Sequence, residues 1–171
     1  MSGVYSAPMT FSTLENVPWD TWQPQQIATL MFIVEPDRML LIRKKRGLGK
    51  GKINAPGGRV EPGESPLDGA VRESQEELHI TPIAPIECGR LSFQFVDGLS
   101  LYVHVFRAET YEGEPTETEE ARPHWFSLDA LPYDEMWADD RLWLPRLLAR
   151  EPFDGRFLFD GEEMLGHAFS A

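Results

Sequence analysis

The chain is predicted to adopt an α/β fold, with a mixed β-sheet between helices. Three observations lead there. Short apolar runs bounded by turn residues recur along the chain, two segments carry helical spacing instead, and no repeat, low-complexity tract or linker divides them. At 171 residues the chain has the size of one domain, large enough to bury a proper core. Hydrophobic residues at 42% and charged residues at 26% describe a globular protein rather than a disordered one.

Taken in order, residues 1–26 mix turn clusters with Trp19 and Trp22 and show no period, so an irregular extension is expected there. Residues 27–171 are then the single domain. Residues 27–34 and 39–44 are apolar runs around Glu35-Pro36-Asp37-Arg38, which reads as a hairpin. Residues 46–59, rich in Gly and Lys, read as loop. A helix is expected over 66–78: Ser65 suits the N-cap, Pro66 the first helical position, and Asp68 the capping-box position. Leu67, Val71, Ser74 and Leu78 form one stripe of that helix, with Ala70 beside them, and should face the core. Residues 83–96 and 99–108 flank Asp97-Gly98, a second hairpin signal. An acidic loop (115–120) and a short strand (124–126) follow. Residues 139–150 form a second helix, with Leu142, Leu144, Leu147 and Leu148 inward. Residues 157–159 and 164–169 flank Asp160-Gly161 as a last hairpin.

Charge and composition narrow the function. No apolar run approaches the roughly 18 residues a membrane span needs, and residues 1–18 lack the basic-then-apolar order of a secretory signal. Cys88 is the single cysteine, which excludes an internal disulfide and makes a reducing cytoplasm the default location. A net charge of −12 argues against nucleic-acid or anionic-membrane partners. The average conceals an inversion: residues 43–52 hold six of the 16 lysines and arginines and no acid. A basic loop on an acidic body suits a small polyanion handled with metal ions, or else is a solvated turn.

The helix carries the chemistry. Glu73, Glu76 and Glu77 occupy i, i+3 and i+4 on a face other than the apolar stripe. Such stacking costs about 0.2–0.5 kcal/mol per close pair, and a hard divalent cation, which takes oxygen ligands, would reverse its sign. Gly69, one turn earlier, leaves room for a ligand at a cost of about 1 kcal/mol relative to Ala. Arg72 is placed to hold Glu76 at i+4. Taken alone, the run reads better as a solvated acidic face.

The flanks decide between these. The stretch reads Gly58, five residues, Glu64, seven residues, then Arg72-Glu73-Ser74-Gln75-Glu76-Glu77-Leu78-His79-Ile80. This resembles the Nudix box, a glycine, glutamate and arginine pattern spanning 23 residues. Ser74 stands where the family has an aliphatic residue and His79 where it has Gly. The resemblance implies a Nudix α/β/α sandwich and Mg²⁺-dependent hydrolysis of a nucleoside diphosphate linked to another group, with Mn²⁺ as a substitute ion. It implies metal ligation by Glu73, Glu76, Glu77, Glu120 and the backbone of Gly58, a supporting role for Arg72, and a general base that is either Glu73 or Glu120.

The similarity extends from about residue 27 to 169 toward the branch that hydrolyses oxidised purine nucleoside triphosphates, such as 8-oxo-dGTP. Its segments here are Lys44-Lys45-Arg46-Gly47, Gly51-Lys52-Ile53-Asn54, Val103-His104-Val105-Phe106, Arg122-Pro123-His124-Trp125-Phe126 and Met136-Trp137-Ala138-Asp139-Asp140. Carried over by position, Asn54, Asp139 and Asp140 read the purine edge and Trp137 stacks on its face. Phe93, Phe95, Leu48 and Thr29 line the pocket, and Lys44 approaches the phosphates. Leu48 replaces an aromatic residue of the better-known relatives. Two adjacent acids in a dry pocket do not both stay ionised, so one is expected to carry a proton. The alternative for 137–140 is that an Asp caps the helix while Trp137 fills core. For Asn54 it is a plain loop residue. Trp143 reads as core, and His104 and His124 as structural; no role is assigned to His167. The products would be a nucleoside monophosphate and pyrophosphate, released by a monomer. Two rival readings are a Nudix hydrolase of ordinary dNTPs, dinucleoside polyphosphates or ADP-ribose, and a non-catalytic Nudix-fold binding module.

Overall fold

A computed structural model describes residues 11–170. Its centre is the pair β1 (Gln26–Val34) and β2 (Arg38–Lys44), which meet antiparallel at Ile33↔Leu40 and Val34↔Met39. Both strands are apolar without alternation, and the reason is burial on two faces. Met31, Ile33, Leu40 and Ile42 point into a core with Ala70, Leu78 and Ile80. Phe32, Val34, Met39 and Leu41 point into the opposite core with Trp143, Leu144 and Leu147. The two cores place α1 (Pro66–Leu78) and α2 (Asp140–Leu148) on opposite faces of one sheet, the expected α/β/α sandwich.

The sheet is mixed. Besides β1 and β2 it contains β3 (Ile53–Asn54), β4 (Gly57–Arg59), β6 (Ile86–Phe95), β7 (Ser100–Ala108), β9 (Ala121–Ser127), β10 (Phe153–Asp160) and β11 (Glu163–Phe169). The order is β11-β10-β6-β7-β1-β2-β3, with β4 also on β1 and β9 on β2. The β1–β7 and β6–β10 contacts are parallel and the rest antiparallel. β5 (Thr81–Ile83) and β8 (Thr110–Glu112) make a separate two-stranded ribbon.

Several expectations need correction. The loop 46–59 contains β3 and β4, too short and too glycine-rich to carry a strand pattern. The expected strand 83–96 is interrupted at Ala84, which takes φ 50, so Ile83 belongs to β5. The short strand at 124–126 is the middle of the seven-residue β9. On α1 the apolar stripe is narrower than predicted, because Leu67 is exposed and Val71 half-buried, and the inward residues are Ala70, Ser74 and Leu78. On α2, Trp143, Leu144 and Leu147 are buried while Leu142 and Leu148 are half-buried.

The extension ahead of β1 is irregular but packed. A 3₁₀ turn at Leu14–Asn16 lies against Gly166 of β11. Val17 is buried, and Trp22 Nε1 donates to Gln94 Oε1 at 2.9 Å. Residues 1–10 of the expected extension lie outside the described residues.

Candidate active site

The loop–helix is assembled from its N-cap upward. Ser65 Oγ accepts from Asp68 N at 3.1 Å, and Pro66 starts α1 where a missing N–H costs nothing. At the other end His79 takes the left-handed conformation, φ 59 and ψ 33, in the place where the family pattern has Gly. Ser74, the second departure from that pattern, is fully buried and satisfied by donating to Ala70 O at 2.8 Å.

Arg72 is the hub beneath the carboxylates. It grips Glu64 through two bonds, Nε to Oε2 at 2.8 Å and Nη2 to Oε1 at 3.0 Å. It also donates to Glu73 at 3.0 Å, to Glu76 at 3.1 Å and to Arg59 O at 3.1 Å. The Arg72 side-chain bond holds the Glu64 carboxyl below the usual carboxylate range. The space at Gly69 serves this network: a Cβ there would lie 2.9 Å from Glu64 Oε1, so the glycine admits Glu64 and not a ligand.

Glu73, Glu77 and Glu120 bring one carboxylate oxygen each within 4.8 Å of one another. Glu76 is not in that group, since its half-exposed carboxylate turns to Arg72. Glu77 is nearly buried and accepts from Gly57 N at 3.1 Å. Burial first, and the charge of Glu73 second, push its carboxyl up to about 8. Burial likewise raises Glu73. Glu120 arrives from the loop before β9, tied down by Lys45 N to Glu120 O at 3.0 Å, Arg46 to its carboxylate at 2.6 Å, and Thr118 Oγ1 to Glu77 O at 2.8 Å. Gly57 is sterically required by the backbone, and a side chain at Gly58 would displace the Glu73 carboxylate. A Cβ on Gly57 would sit 1.9 Å from Thr29 O, and one on Gly58 2.6 Å from Glu73 Oε1. Three hard oxygen donors, two of them on the half-buried Glu73 and the buried Glu77, fit a divalent cation.

A cavity of about 450 Å³ opens beside this cluster. Gly58, Thr29 and Lys44 line it toward the carboxylates, and Asn54, Asp139 and Asp140 toward α2. Phe93, Phe95, Phe159 and Trp137 supply its aromatic wall, with Trp137 edge-on to Phe95 at 6.0 Å and to Phe159 at 5.5 Å. Leu48 is at the rim, about half exposed, and Lys44 Nζ donates to its carbonyl at 2.7 Å. Asn54 Oδ1 accepts from Ala55 N at 2.8 Å, which leaves the amide nitrogen free of that bond.

The two acids do not cap α2. Asp139 occupies the N-cap position with helical dihedrals and no side-chain cap bond, and its Oδ2 accepts from Trp143 Nε1 at 2.7 Å. Trp143 is thus core, as expected, and also the donor that orients Asp139. Asp140 is buried, and its Oδ2 has no partner among the described residues. Burial raises both carboxyls, Asp139 to about 6, and the neighbouring Asp139 charge raises Asp140 further. The pair therefore holds a proton at neutral pH. Lys52 lies 5.3 Å from the Trp137 ring centroid and is the cation that lowers Asp140 in part. Sequence reasoning missed Lys52, Arg46, Thr118 and the role of Glu64; of these only Glu64 had a signal, as an anchor of the box.

The fold and the cleft define a class, an α/β/α sandwich hydrolase with its acids at one end of a nucleotide-sized pocket. Residues 24–147 match the NUDIX domain. The chain is 44% identical over 141 residues to an oxidized purine nucleoside triphosphate hydrolase of Danio rerio and 42% identical over 141 residues to that of Mus musculus, each time over 82% of this chain and 90% of the relative. An 8-oxo-dGTP diphosphatase of Escherichia coli is 37% identical over 84 residues, 49% of this chain and 64% of the relative. Among solved structures, the MutT mutator protein of Bacillus halodurans superposes with a TM-score of 0.76 at 30% identity, covering 85% of this chain and 97% of that one. The chain belongs to the Nudix hydrolase family.

Proposed function

We propose that the protein is a Mg²⁺-dependent pyrophosphohydrolase that converts oxidised purine nucleoside triphosphates, 8-oxo-dGTP first among them, to the monophosphate and pyrophosphate. The observation that carries this is the buried pair Asp139–Asp140, which lines the same cavity as Asn54 and as Gly57 and Gly58, the glycines that abut Glu77 and Glu73. Mixed donors and acceptors in a dry pocket can follow the altered edge of an oxidised base, and exchange of the shared proton extends the same site to 2-hydroxy-dATP. The relatives named for oxidised purine nucleotides support the substrate class.

In this reading Glu73, Glu77 and Glu120, with the carbonyl of Gly58, hold Mg²⁺ or a substituting Mn²⁺. The chemistry such an ion supplies is neutralisation of the phosphates and acidification of the attacking water. Arg72 positions Glu73 and Glu76. Lys44 meets the triphosphate once its bond to Leu48 is exchanged, and Trp137 with Phe93 and Phe95 fixes the base. The general base is Glu73 or Glu120: each is held by an arginine, Glu73 by Arg72 at 3.0 Å and Glu120 by Arg46 at 2.6 Å, and proton removal competes with metal ligation at both. Among the described residues no helix is long and apolar enough to cross a membrane. In this reading the single cysteine suits a reducing cytoplasm and the working unit is a monomer.

The test is a steady-state panel of dGTP, 8-oxo-dGTP, dATP, 2-hydroxy-dATP, ADP-ribose and a dinucleoside polyphosphate, with Mg²⁺ or EDTA. A kcat/KM for 8-oxo-dGTP at least about tenfold above dGTP, equal to about 1.4 kcal/mol of discrimination, is expected, with no turnover in EDTA. Equal values for the two guanine nucleotides reject the substrate assignment.

A further inference from the structure

A second cavity, of about 370 Å³, lies at the opposite end of α2 from Asp139 and Asp140. Its walls are apolar at Val34, Pro36, Leu128 and Leu148. Four charged side chains also line it, and three of them are already neutralised. Arg150 is paired with Glu109, and Glu35 with Arg38 at 2.8 Å. Arg107 is the exception. It is only 8% exposed, has no carboxylate partner among the described residues, and its Nε is buried without any partner.

The structural explanation for Arg107 covers part of it. Its Nη1 donates to Leu147 O at 3.0 Å and so satisfies a carbonyl at the C-terminal end of α2. That uses one of five donors, and a guanidinium does not shed its charge to escape burial. A cation without a paired carboxylate is therefore held against a cavity, with the Arg150–Glu109 pair on the same wall. Desolvation first and Arg150 second lower the Arg107 pKa, and the charge of Glu109 offsets only part of that.

We propose that this cavity is a binding site for a small organic monocarboxylate, its carboxylate on Arg107 and its apolar body against Val34, Leu128 and Leu148. The charge count selects that class. With Glu35, Glu109 and Arg150 each paired, Arg107 is the one uncompensated charge on the wall among the described residues, too little for a phosphate dianion or any polyanion, which the net charge of −12 on the chain opposes as well. One unpaired arginine with greasy walls matches a single negative charge on an apolar stem. The site is remote from the carboxylate cluster and does not depend on the nucleotide reading.

Benzoate is a suitable probe, with benzyl alcohol as the uncharged isostere at matched ionic strength, read by methyl NMR. Benzoate is expected to shift the methyls of Val34, Leu128 and Leu148 and to saturate on the order of millimolar, whereas benzyl alcohol does not shift them. Arg107→Met should remove the response. Because that variant also loses the bond to Leu147, the exposed Glu109→Gln gives a second reading: losing a wall carboxylate should tighten benzoate about threefold. Equal shifts from the alcohol, shifts confined to Leu48, Leu101 and Val103 in the other cavity, or unchanged affinity in Glu109→Gln would each overturn the proposal.

Discussion

At the scale of single residues, the site is built from carboxylates kept where solvation would not keep them. Glu77 is the deepest of the cluster, with its oxygen on Gly57 N and its carboxyl pushed up to about 8 by burial and by Glu73. Glu77→Gln preserves the bond to Gly57 while removing an anionic ligand. Its kcat should fall by about 100-fold or more, the scale lost when one charge-stabilising group is removed. The rise in Tm that Mg²⁺ gives the parent should shrink in the variant, by mass action on the native state. Normal turnover at saturating Mg²⁺ would sink the assignment. Asp140 makes a complementary case. The folded-state pKa of the pair lies above the unfolded value, with Asp139 moved from 3.8 to about 6. The stabilisation is therefore fully present below about pH 3.8 and is lost as pH rises through 6, where the first of the two buried carboxyls, Asp139, must ionise. Asp140→Asn removes the charge but keeps a donor, so its Tm should decline less between pH 4 and 7 and be higher at pH 7. The preference for oxidised bases should vanish with it. An unchanged pH–Tm profile, measured by scanning calorimetry, contradicts the shared proton.

The elements show which parts of the fold could be read in advance. The helix over 66–78 was legible to the residue because Ser65, Pro66 and the carboxylate spacing are local signals. The doubly buried strands β1 and β2 were legible as strands but not in their pairing, since β1 joins β7 in parallel across most of its length. Nothing in a run such as Met31-Phe32-Ile33-Val34 names its neighbour. β3, β4 and the β5–β8 ribbon were invisible because two or three residues carry no period. In the site, the closeness of Glu73 and Glu77 could be read from helical spacing, but the turn of Glu76 away to Arg72 could not, nor could the contacts of Arg46, Thr118 and Lys52, which act through the fold. His79 offers a test at this scale. An L-residue at φ 59 sits in a region that costs about 1–2 kcal/mol relative to right-handed backbone, and glycine avoids that cost. Its side chain is exposed and outside the cluster. His79→Gly should raise unfolding free energy in urea by about 0.5–1 kcal/mol with kcat unchanged. A loss of stability would show that the side chain holds the helix end.

Across the whole molecule, the two cores share one sheet, but β10 and β11 lie beyond the residues that match the family, as do residues 11–23 before them. These two outlying parts hold each other. Leu14 packs on Gly166 in β11 and the guanidinium of Arg156 in β10 lies 5.3 Å from the Trp19 ring centroid, while the same leading segment is also tied to the matched strands. The deepest tie is Trp22 Nε1 to Gln94 Oε1 at 2.9 Å. Gln94 is buried between the bases of β6 and β7, and its other end donates to Phe95 O at 2.8 Å. The oxygen has Trp22 as its donor and no second one among the described residues. Trp22→Phe keeps an aromatic ring in place but leaves that buried acceptor without a partner, which costs about 1–3 kcal/mol. The double variant Trp22→Phe/Gln94→Leu removes both groups and should recover most of the loss, because an apolar pair leaves nothing unsatisfied. Denaturant unfolding of the two variants measures this. If the segment before β1 is only an appendage, Trp22→Phe will unfold at the parent midpoint and the second substitution will be purely destabilising. If it is the fourth side of the β6–β7–β10–β11 half of the sheet, the single variant will lose stability and the double will regain it.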